Sequence, residues 1–507
     1  MNHGTLRVVR NSVFLYFRMA VLMIVSLYMT RVVLRVLGSD GYGLYNVVGG
    51  IVAIFASMKI LFSTSVQRYL NYYKGKGDEE ATADVFNIGL FIHIILSLIF
   101  GICVEIIGLY LIHYKLNIPS YLFESALFVF HCSVVTACVT IITIPYDAVI
   151  IANEKMGIYA VISIFDGLLK LVIAISLPWI PYDKLCTYAF LLCMLSVLIR
   201  FVYSFYCRKF PECRTTFKLK KKLFKDLVTF SSWNFLGNLG FSLMNEGINI
   251  LLNMFGGVVV NSARAISYQI RTAVADVSSN FTLAANPRIV QNSAHVSVVG
   301  LYPQILELGR ITFYITLFLT TPLYIFLPFI LNIWLGDVPP LTVEFTRYIF
   351  IYLVVRSFHS SIDTLFKAYG CIKKYQIWDI ITLLFNIPTA YIILKMGGRY
   401  EWVFLSFSVW ECVNLIAILI IAQSELSFPC RKYLSDISQL VLPSILAVSI
   451  IAWLFLVPGK VFVQNHVFSS LVITLLYVVI LMYFTSNQKE RKFCFDAIVL
   501  FLNKVKK

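Results

Sequence analysis

Fourteen apolar stretches, each about twenty residues or longer, run through this 507-residue chain almost without interruption. They lie at roughly 11–37, 42–70, 85–112, 122–151, 157–180, 184–207, 227–254, 257–285, 305–331, 342–368, 374–396, 400–422, 435–457 and 465–486. A helix of that length crosses the hydrocarbon core of a bilayer. Within that core only helices and closed barrels satisfy their own backbone polar groups. The expectation is an all-α polytopic membrane protein with about fourteen transmembrane helices. With 59% of residues hydrophobic and only 13% charged, the soluble globular class is excluded. No polar stretch is long enough for a separate soluble domain. The eighth span carries polar Asn261-Ser-Ala-Arg264 and Val277-Ser-Ser-Asn280, so it is expected against protein or water.

The short basic start, Met1 to Arg10, leads into a long first span without a small-residue cleavage site, so a retained helix is expected. The eleven cysteines are scattered, with no CxxC and no Cys/His cluster at zinc spacing, and read as small core residues. The net charge of +16 would suit nucleic acid if it formed one surface. Instead it sorts by membrane side. Connections and span ends on the side of both termini hold 25 lysines and arginines, against 5 on the other. The positive-inside rule puts both termini in the cytoplasm, and no nucleic-acid partner is expected. The basic run Lys218-Leu-Lys-Lys-Lys222 dominates that side. The tail 487–507 pairs an apolar stripe with lysines, as an interfacial amphipathic helix does, and membrane lipids are its expected partner.

An internal repeat is visible. Phe210-Pro-Glu-Cys-Arg214 and Phe428-Pro-Cys-Arg431 place their prolines 218 residues apart. Leu37-Gly38 matches Phe255-Gly256 at the same offset, and Asp147 and Tyr159 find Asp363 and Tyr375 at 216. The expected organisation is two six-helix bundles in tandem plus two C-terminal helices. Its segments are a bundle over 1–207, a basic linker over 208–226 and a second bundle over 227–434. Two further helices over 435–486 and a basic amphipathic tail over 487–507 follow. Repeats of even span number share topology, which leaves a cleft suited to rocking transport.

With these features, Arg35-Val-Leu-Gly-Ser-Asp-Gly-Tyr-Gly-Leu-Tyr45 resembles the Leu-Gly-x-x-x-Tyr-Gly turn of Wzx-type polysaccharide and O-antigen flippases. These belong to the multidrug/oligosaccharidyl-lipid/polysaccharide superfamily, and Asn286-Pro-Arg288 also fits. The resemblance covers essentially the whole chain, but related multidrug exporters and lipid II flippases share the architecture. It implies two lobes around a cationic cavity. The implied substrate is undecaprenyl-diphosphate-linked oligosaccharide, moved by alternating access for O-antigen, capsule or exopolysaccharide synthesis. A polysaccharide polymerase and glycosyltransferases are the implied partners.

Twelve basic residues lie inside otherwise apolar spans: Arg18, Arg31, Arg35, Lys59, Arg68, Lys170, Arg200, Arg264, Arg271, Arg310, Arg347 and Arg356. Each costs roughly 2.5–3.5 kcal/mol at the bilayer centre unless it snorkels, pairs or meets water and an anion. Arg68, Arg200, Arg310 and Arg347 lie near span ends and are expected to snorkel. Lys170 follows Asp166 at i,i+4, the spacing of a helix pair. Arg356 has no assignment. Arg18, Arg31, Arg35, Lys59, Arg264 and Arg271 are the anion-binding candidates, since an arginine fork can donate two parallel hydrogen bonds to a diphosphate. Asn234, Asn238, Asn245 and Asn249 form a stripe that either bonds sugar hydroxyls or ties helices together. No catalytic residue, metal or cofactor is expected. Coupling to a proton or sodium gradient is expected to draw on Asp166, Lys170 and Glu246. Pro145, Pro322 and Pro388 are candidate kinks.

Two other readings compete. An ion-coupled multidrug exporter predicts an acidic, aromatic cavity. A membrane glycosyltransferase or polymerase predicts a sizeable extramembrane loop, which the short Pro181–Lys184 and Gly38–Gly41 connections do not supply.

Overall fold

The computed structural model describes residues 3–56, 66–67, 69–74, 76–153, 155–213, 220–293, 295–439, 441 and 443–444. Lys59, Arg68, nearly all of the last two expected spans and the amphipathic tail lie outside the described residues. Among those described, regular structure is helical throughout. The helices are α1 (His3–Ala56), α2 (Glu79–Tyr114), α3 (Phe123–Ala152), α4 (Met156–Ser176), α5 (Lys184–Cys207) and α6 (Lys221–Ser293). They continue with α7 (Val298–Leu335), α8 (Thr342–Tyr369), α9 (Ile372–Leu384), α10 (Asn386–Lys395) and α11 (Glu401–Leu426). Ten segments among the described residues are long and apolar enough to cross a membrane. The protein is a multi-pass, all-α membrane protein.

Two helices are far too long to be single spans. Straight, the 54 residues of α1 would reach about 80 Å and the 73 of α6 about 110 Å. Each is broken at one glycine: Gly38 with φ 70° and ψ 175°, and Gly257 with φ 71° and ψ −173°. That left-handed backbone is one a side chain rarely tolerates. The breaks turn the chain back on itself. The Tyr42 hydroxyl bonds Thr30, twelve residues earlier, which a straight helix would hold about 18 Å away. Asn253 Nδ2 donates to Asn261 Oδ1 at 3.0 Å across the second break. Each long helix therefore holds two of the expected spans. The two breaks lie 219 residues apart, so the repeat pairs Gly38 with Gly257, and not with Gly256 as the sequence match had it.

The Leu37–Gly43 motif now has a physical reading. Gly38 makes the turn, Tyr42 ties it, and Gly43 lets another helix close in. A Cβ on Gly43 would stand 1.7 Å from the Val258 carbonyl oxygen.

The prolines divide. Pro145 sits inside an unbroken α3, and Pro322 inside an unbroken α7. Pro388 does end a helix: its ring clashes with the carbonyl four residues back, at Leu384, where α9 stops and α10 restarts at Asn386.

The described residues fall into two compact units. The first lies within Met1–Ile266, Leu335–Leu341 and Asn386–Tyr400; the second within Ser267–Trp334, Thr342–Phe385 and Glu401–Lys507. The first packs Val47, Val48 and Ile51 of α1 against Val104 of α2 and Val129 and Phe130 of α3. The second packs Ile305 and Phe313 of α7 with Ile362 and Phe366 of α8 and Ile418 of α11. Lipid tails are as apolar as leucine, so such cores hold by close packing rather than by escape from water. Outward apolar residues, such as Leu98, Ile102 and Ile106 of α2, are exposed and suit lipid.

Candidate functional site

The first unit encloses a cavity of about 730 Å³. Both halves of α1 line it, together with α3, α4 and α5. Its wall is unusual for a membrane bundle: seven Ser or Thr side chains and four tyrosines face it, among them Thr136, Thr140, Thr143, Ser163, Tyr159 and Tyr203. The threonines are stable there because each donates to a carbonyl one turn back. Thr136, Thr140 and Thr143 reach Cys132, Thr136 and Val139 at 2.8 Å each. Ser163 does the same to Tyr159 at 2.8 Å. Their oxygens still carry lone pairs for a guest.

Four charged residues line the same cavity: Arg18, Lys170, Asp147 and Asp166. The Arg18 guanidinium lies 4.7 Å from the centre of the Tyr159 ring, a cation–π contact. Its Nε is buried without a hydrogen-bond partner. Lys170 Nζ donates to Asp166 Oδ2 at 2.7 Å, the pair the i,i+4 spacing predicts. Tyr203 hydrogen-bonds Asp147, and the Tyr45 and Tyr188 rings stand 5.2 Å apart.

The other sequence candidates go elsewhere. Arg31 and Arg35 are exposed on α1 and do not line this cavity. Arg264 is buried and its Nη2 donates to the Asn245 carbonyl at 2.6 Å. Arg271 belongs to the second unit, with its Cζ 5.0 Å from the Tyr268 ring and 5.3 Å from Tyr352. Asn234 and Asn238 lie on α6. Asn249 is engaged with protein: its amide nitrogen donates to the Asn46 carbonyl and to Glu246 Oε2 at 3.2 Å each. Asn261 in turn donates to Asn249 Oδ1 at 2.7 Å. The described end of the asparagine stripe thus ties helices together. Of the residues expected to snorkel, Arg200 stacks 4.1 Å over Tyr146, and Arg347 donates to the Tyr324 carbonyl at 3.3 Å.

Arg356, unassigned from sequence, anchors a polar cluster in the second unit. Its Nη1 donates to Glu411 Oε1 and Oε2 at 3.0 and 3.1 Å and to Asp379 Oδ1 at 3.3 Å. His359 stands beside it, its Nε2 2.9 Å from the Tyr375 hydroxyl. Sequence reasoning missed His359 and Glu411, and Asp147 as a cavity residue. The 216-residue pairing of Asp147 and Tyr159 with Asp363 and Tyr375 was the one sequence signal pointing to both places.

At one end of the first unit, Lys74 joins three connections. It donates to Glu212 Oε1 at 3.1 Å and to Asn153, whose own amide donates to Glu212 at 2.6 Å. Burial pushes the Glu212 carboxyl up. Hydrogen bonds from Asn153, its own backbone and Lys74 outweigh that and hold it below the usual range.

No family model matches the chain, and no curated protein matches it by sequence. Solved structures do match its fold. The lipid II flippase MurJ in an inward closed conformation is 13% identical with a TM-score of 0.69, over 96% of this chain and 100% of that one. A multidrug resistance MATE family transporter of the MOP superfamily, inward-facing, is 17% identical with a TM-score of 0.65, over 82% and 98%. A MOP superfamily transporter from Pyrococcus furiosus, described as having a binding pocket of reverse polarity, is 16% identical with a TM-score of 0.59, over 83% and 95%. What is shared at such identities is the fold. The chain has the multi-pass helical fold of these transporters.

Proposed function

We propose that this protein is a flippase for undecaprenyl-diphosphate-linked oligosaccharide repeat units in a bacterial inner membrane. It would serve O-antigen, capsule or exopolysaccharide synthesis, with both termini cytoplasmic and the bundles over 1–207 and 227–434 rocking in alternating access. The observation that carries this reading is the wall of the first-unit cavity. Seven Ser or Thr hydroxyls and four tyrosines offer donors, acceptors and ring faces matched to sugars. Arg18 and Lys170 supply cations for the diphosphate, arginine as a planar fork and lysine as a point charge. Glycosyltransferases would build the lipid-linked substrate, and a polymerase would consume it on the far side. No covalent bond changes in the step itself.

A multidrug exporter is the second reading, favoured by Asp147 and Asp166 in the same cavity, since carboxylates attract cationic drugs. The two separate in proteoliposomes of the purified full chain. Fluorescent lipid-linked oligosaccharide should cross to the opposite leaflet, whereas a lipophilic cation should not be accumulated. Cation accumulation without lipid translocation would hand the function to the exporter. Chemical conversion of the glycan lipid without translocation would make it an enzyme instead.

A further inference from the structure

Glu105 and His131 stand where a membrane bundle rarely keeps ionisable groups. His131 Nδ1 of α3 lies 3.0 Å from Glu105 Oε1 of α2, and the two side chains are 52% and 32% exposed. Glu105 comes nine residues before the end of α2, and His131 eight after the start of α3. At about 1.5 Å per residue, both lie about 12–14 Å inward from the connection that joins these helices. Exposed apolar residues surround them: Leu98, Ile102 and Ile106 on α2, Phe128 and Val135 on α3. The pair sits within the apolar band of this face, not at its edge.

The cavity does not account for it. α3 turns Ser133, Thr136, Ala137 and Thr140 to the cavity. At 3.6 residues per turn, His131 and Val135 fall on the opposite side of the helix. Neither Glu105 nor His131 lines the cavity.

Holding α2 to α3 does not account for it either. The Phe130 ring fills the space over Gly108, where an added Cβ would stand 2.2 Å from Phe130 Cζ. Ser97 Oγ donates to the Cys138 carbonyl at 3.2 Å, and Cys138 Sγ donates to the Ser97 carbonyl at 3.4 Å. The two helices are joined without the exposed pair.

The contact between Nδ1 and Oε1 uses one atom of each group. Nε2 and Oε2 have no hydrogen-bond partner among the described residues. In a net-neutral pair one hydrogen bridges Nδ1 and Oε1. That leaves an N–H at Nε2 as a donor and Oε2 as an acceptor.

We propose that this face of α2 and α3 is an interface for a second copy of the chain, with His131 Nε2 of each copy donating to Glu105 of the partner subunit. Complementarity selects the occupant. One donor and one acceptor side by side are self-complementary, and a two-fold axis between two such pairs makes the bond in both directions. Lipid tails offer neither donor nor acceptor at this depth. Apolar surface alone gives no drive to associate in a bilayer, whereas hydrogen bonds between helices do. The exposed side chains around the pair then supply close packing. The pairing uses the side of α3 away from the cavity, so it does not depend on what the cavity carries.

The test measures association in lipid. Two preparations of the full chain, with donor and acceptor dyes at the C-terminus, are mixed in vesicles. Energy transfer is followed as added lipid dilutes the protein. The parent should follow a monomer–dimer equilibrium. Glu105→Leu and His131→Leu should each weaken it about tenfold, since either change removes both bonds across the axis. Mixed together, these two variants should associate more tightly than either does with itself, because one bond returns in the mixed dimer. Ile106→Trp, which alters an exposed side chain, should also weaken association and serves where a leucine variant does not fold. A parent that stays monomeric at every dilution overturns the proposal and leaves this face to lipid or to a different membrane protein. A dimer that the substitutions leave unchanged, or a mixed pair no tighter than the pure ones, overturns it as well.

Discussion

Two stretches of chain 216 residues apart use the same helical positions in opposite ways. Thr136, Thr140, Thr143 and Asp147 of α3 occupy the register of Tyr352, Arg356, His359 and Asp363 of α8. Tyr159 and Ser163 of α4 occupy that of Tyr375 and Asp379 of α9. In the first unit the variable positions are hydroxyls, and each satisfies itself on its own helix. Nothing has to meet across the gap, so the gap stays open. In the second unit those positions are ionised or ionisable, and a charge in a bundle must find a partner. The helices are bridged by Arg356, Glu411 and Asp379. One repeat leaves its hydroxyls on the wall of a cavity; the other presents its polar groups to one another.

The sharpest way to break this contrast is to remove one partner of the closed cluster. Arg356→Ala should destabilise the protein by about 3–5 kcal/mol, because Glu411 is left buried and unpaired. Thermal unfolding in detergent measures it. The double variant Arg356→Met with Glu411→Leu should recover most of the loss. A single variant as stable as the parent would mean the cluster does not hold the second unit together. Next in size, Gly43→Val should lose about 1–3 kcal/mol in the same assay through overpacking against the Val258 backbone.

On the open side the effects should appear in transport rather than in stability. Arg18→Ala should lower glycan-lipid translocation about tenfold or more, as expected for a lost charge-assisted hydrogen bond of about 1.5–3 kcal/mol, with partial rescue by Arg18→Lys. Thr140→Val with Thr143→Val should move the unfolding midpoint little and slow translocation a few-fold. If these changes unfolded the protein as Arg356→Ala does, the distinction between open and closed repeats would fail.

The smallest effect concerns pH. The Glu212 carboxyl is held low in the folded state, so its contribution is present above its unfolded pKa and lost as pH falls through the folded one. Glu212→Gln should lower stability slightly at neutral pH, and its difference from the parent should close as pH falls below about pH 4.5, which flattens the acid limb of the stability profile.

Hydropathy made most of the spans legible, because twenty apolar residues in a row have few other solutions. It also made the Asp166–Lys170 pair legible, since both partners sit on one helix turn. Rotation was not legible. Arg31 and Arg35 share a face by spacing, but nothing local says where that face points, and it points away from the cavity. Arg356 could not be assigned because Asp379 and Glu411 lie 23 and 55 residues away on other helices. The break at Gly257 was missed by one position because two glycines stand together, and only the backbone angles tell which one turns.

Gly38 and Gly257 also bear on how the chain is made. A turn of one residue leaves no loop to be carried across a membrane separately from its flanks. The two spans on either side must therefore enter the bilayer together, as a helical hairpin, with the second half already covering the polar groups of the first. For the second such hairpin, that means Asn249, Asn253 and Asn261 reach lipid with their amides already engaged.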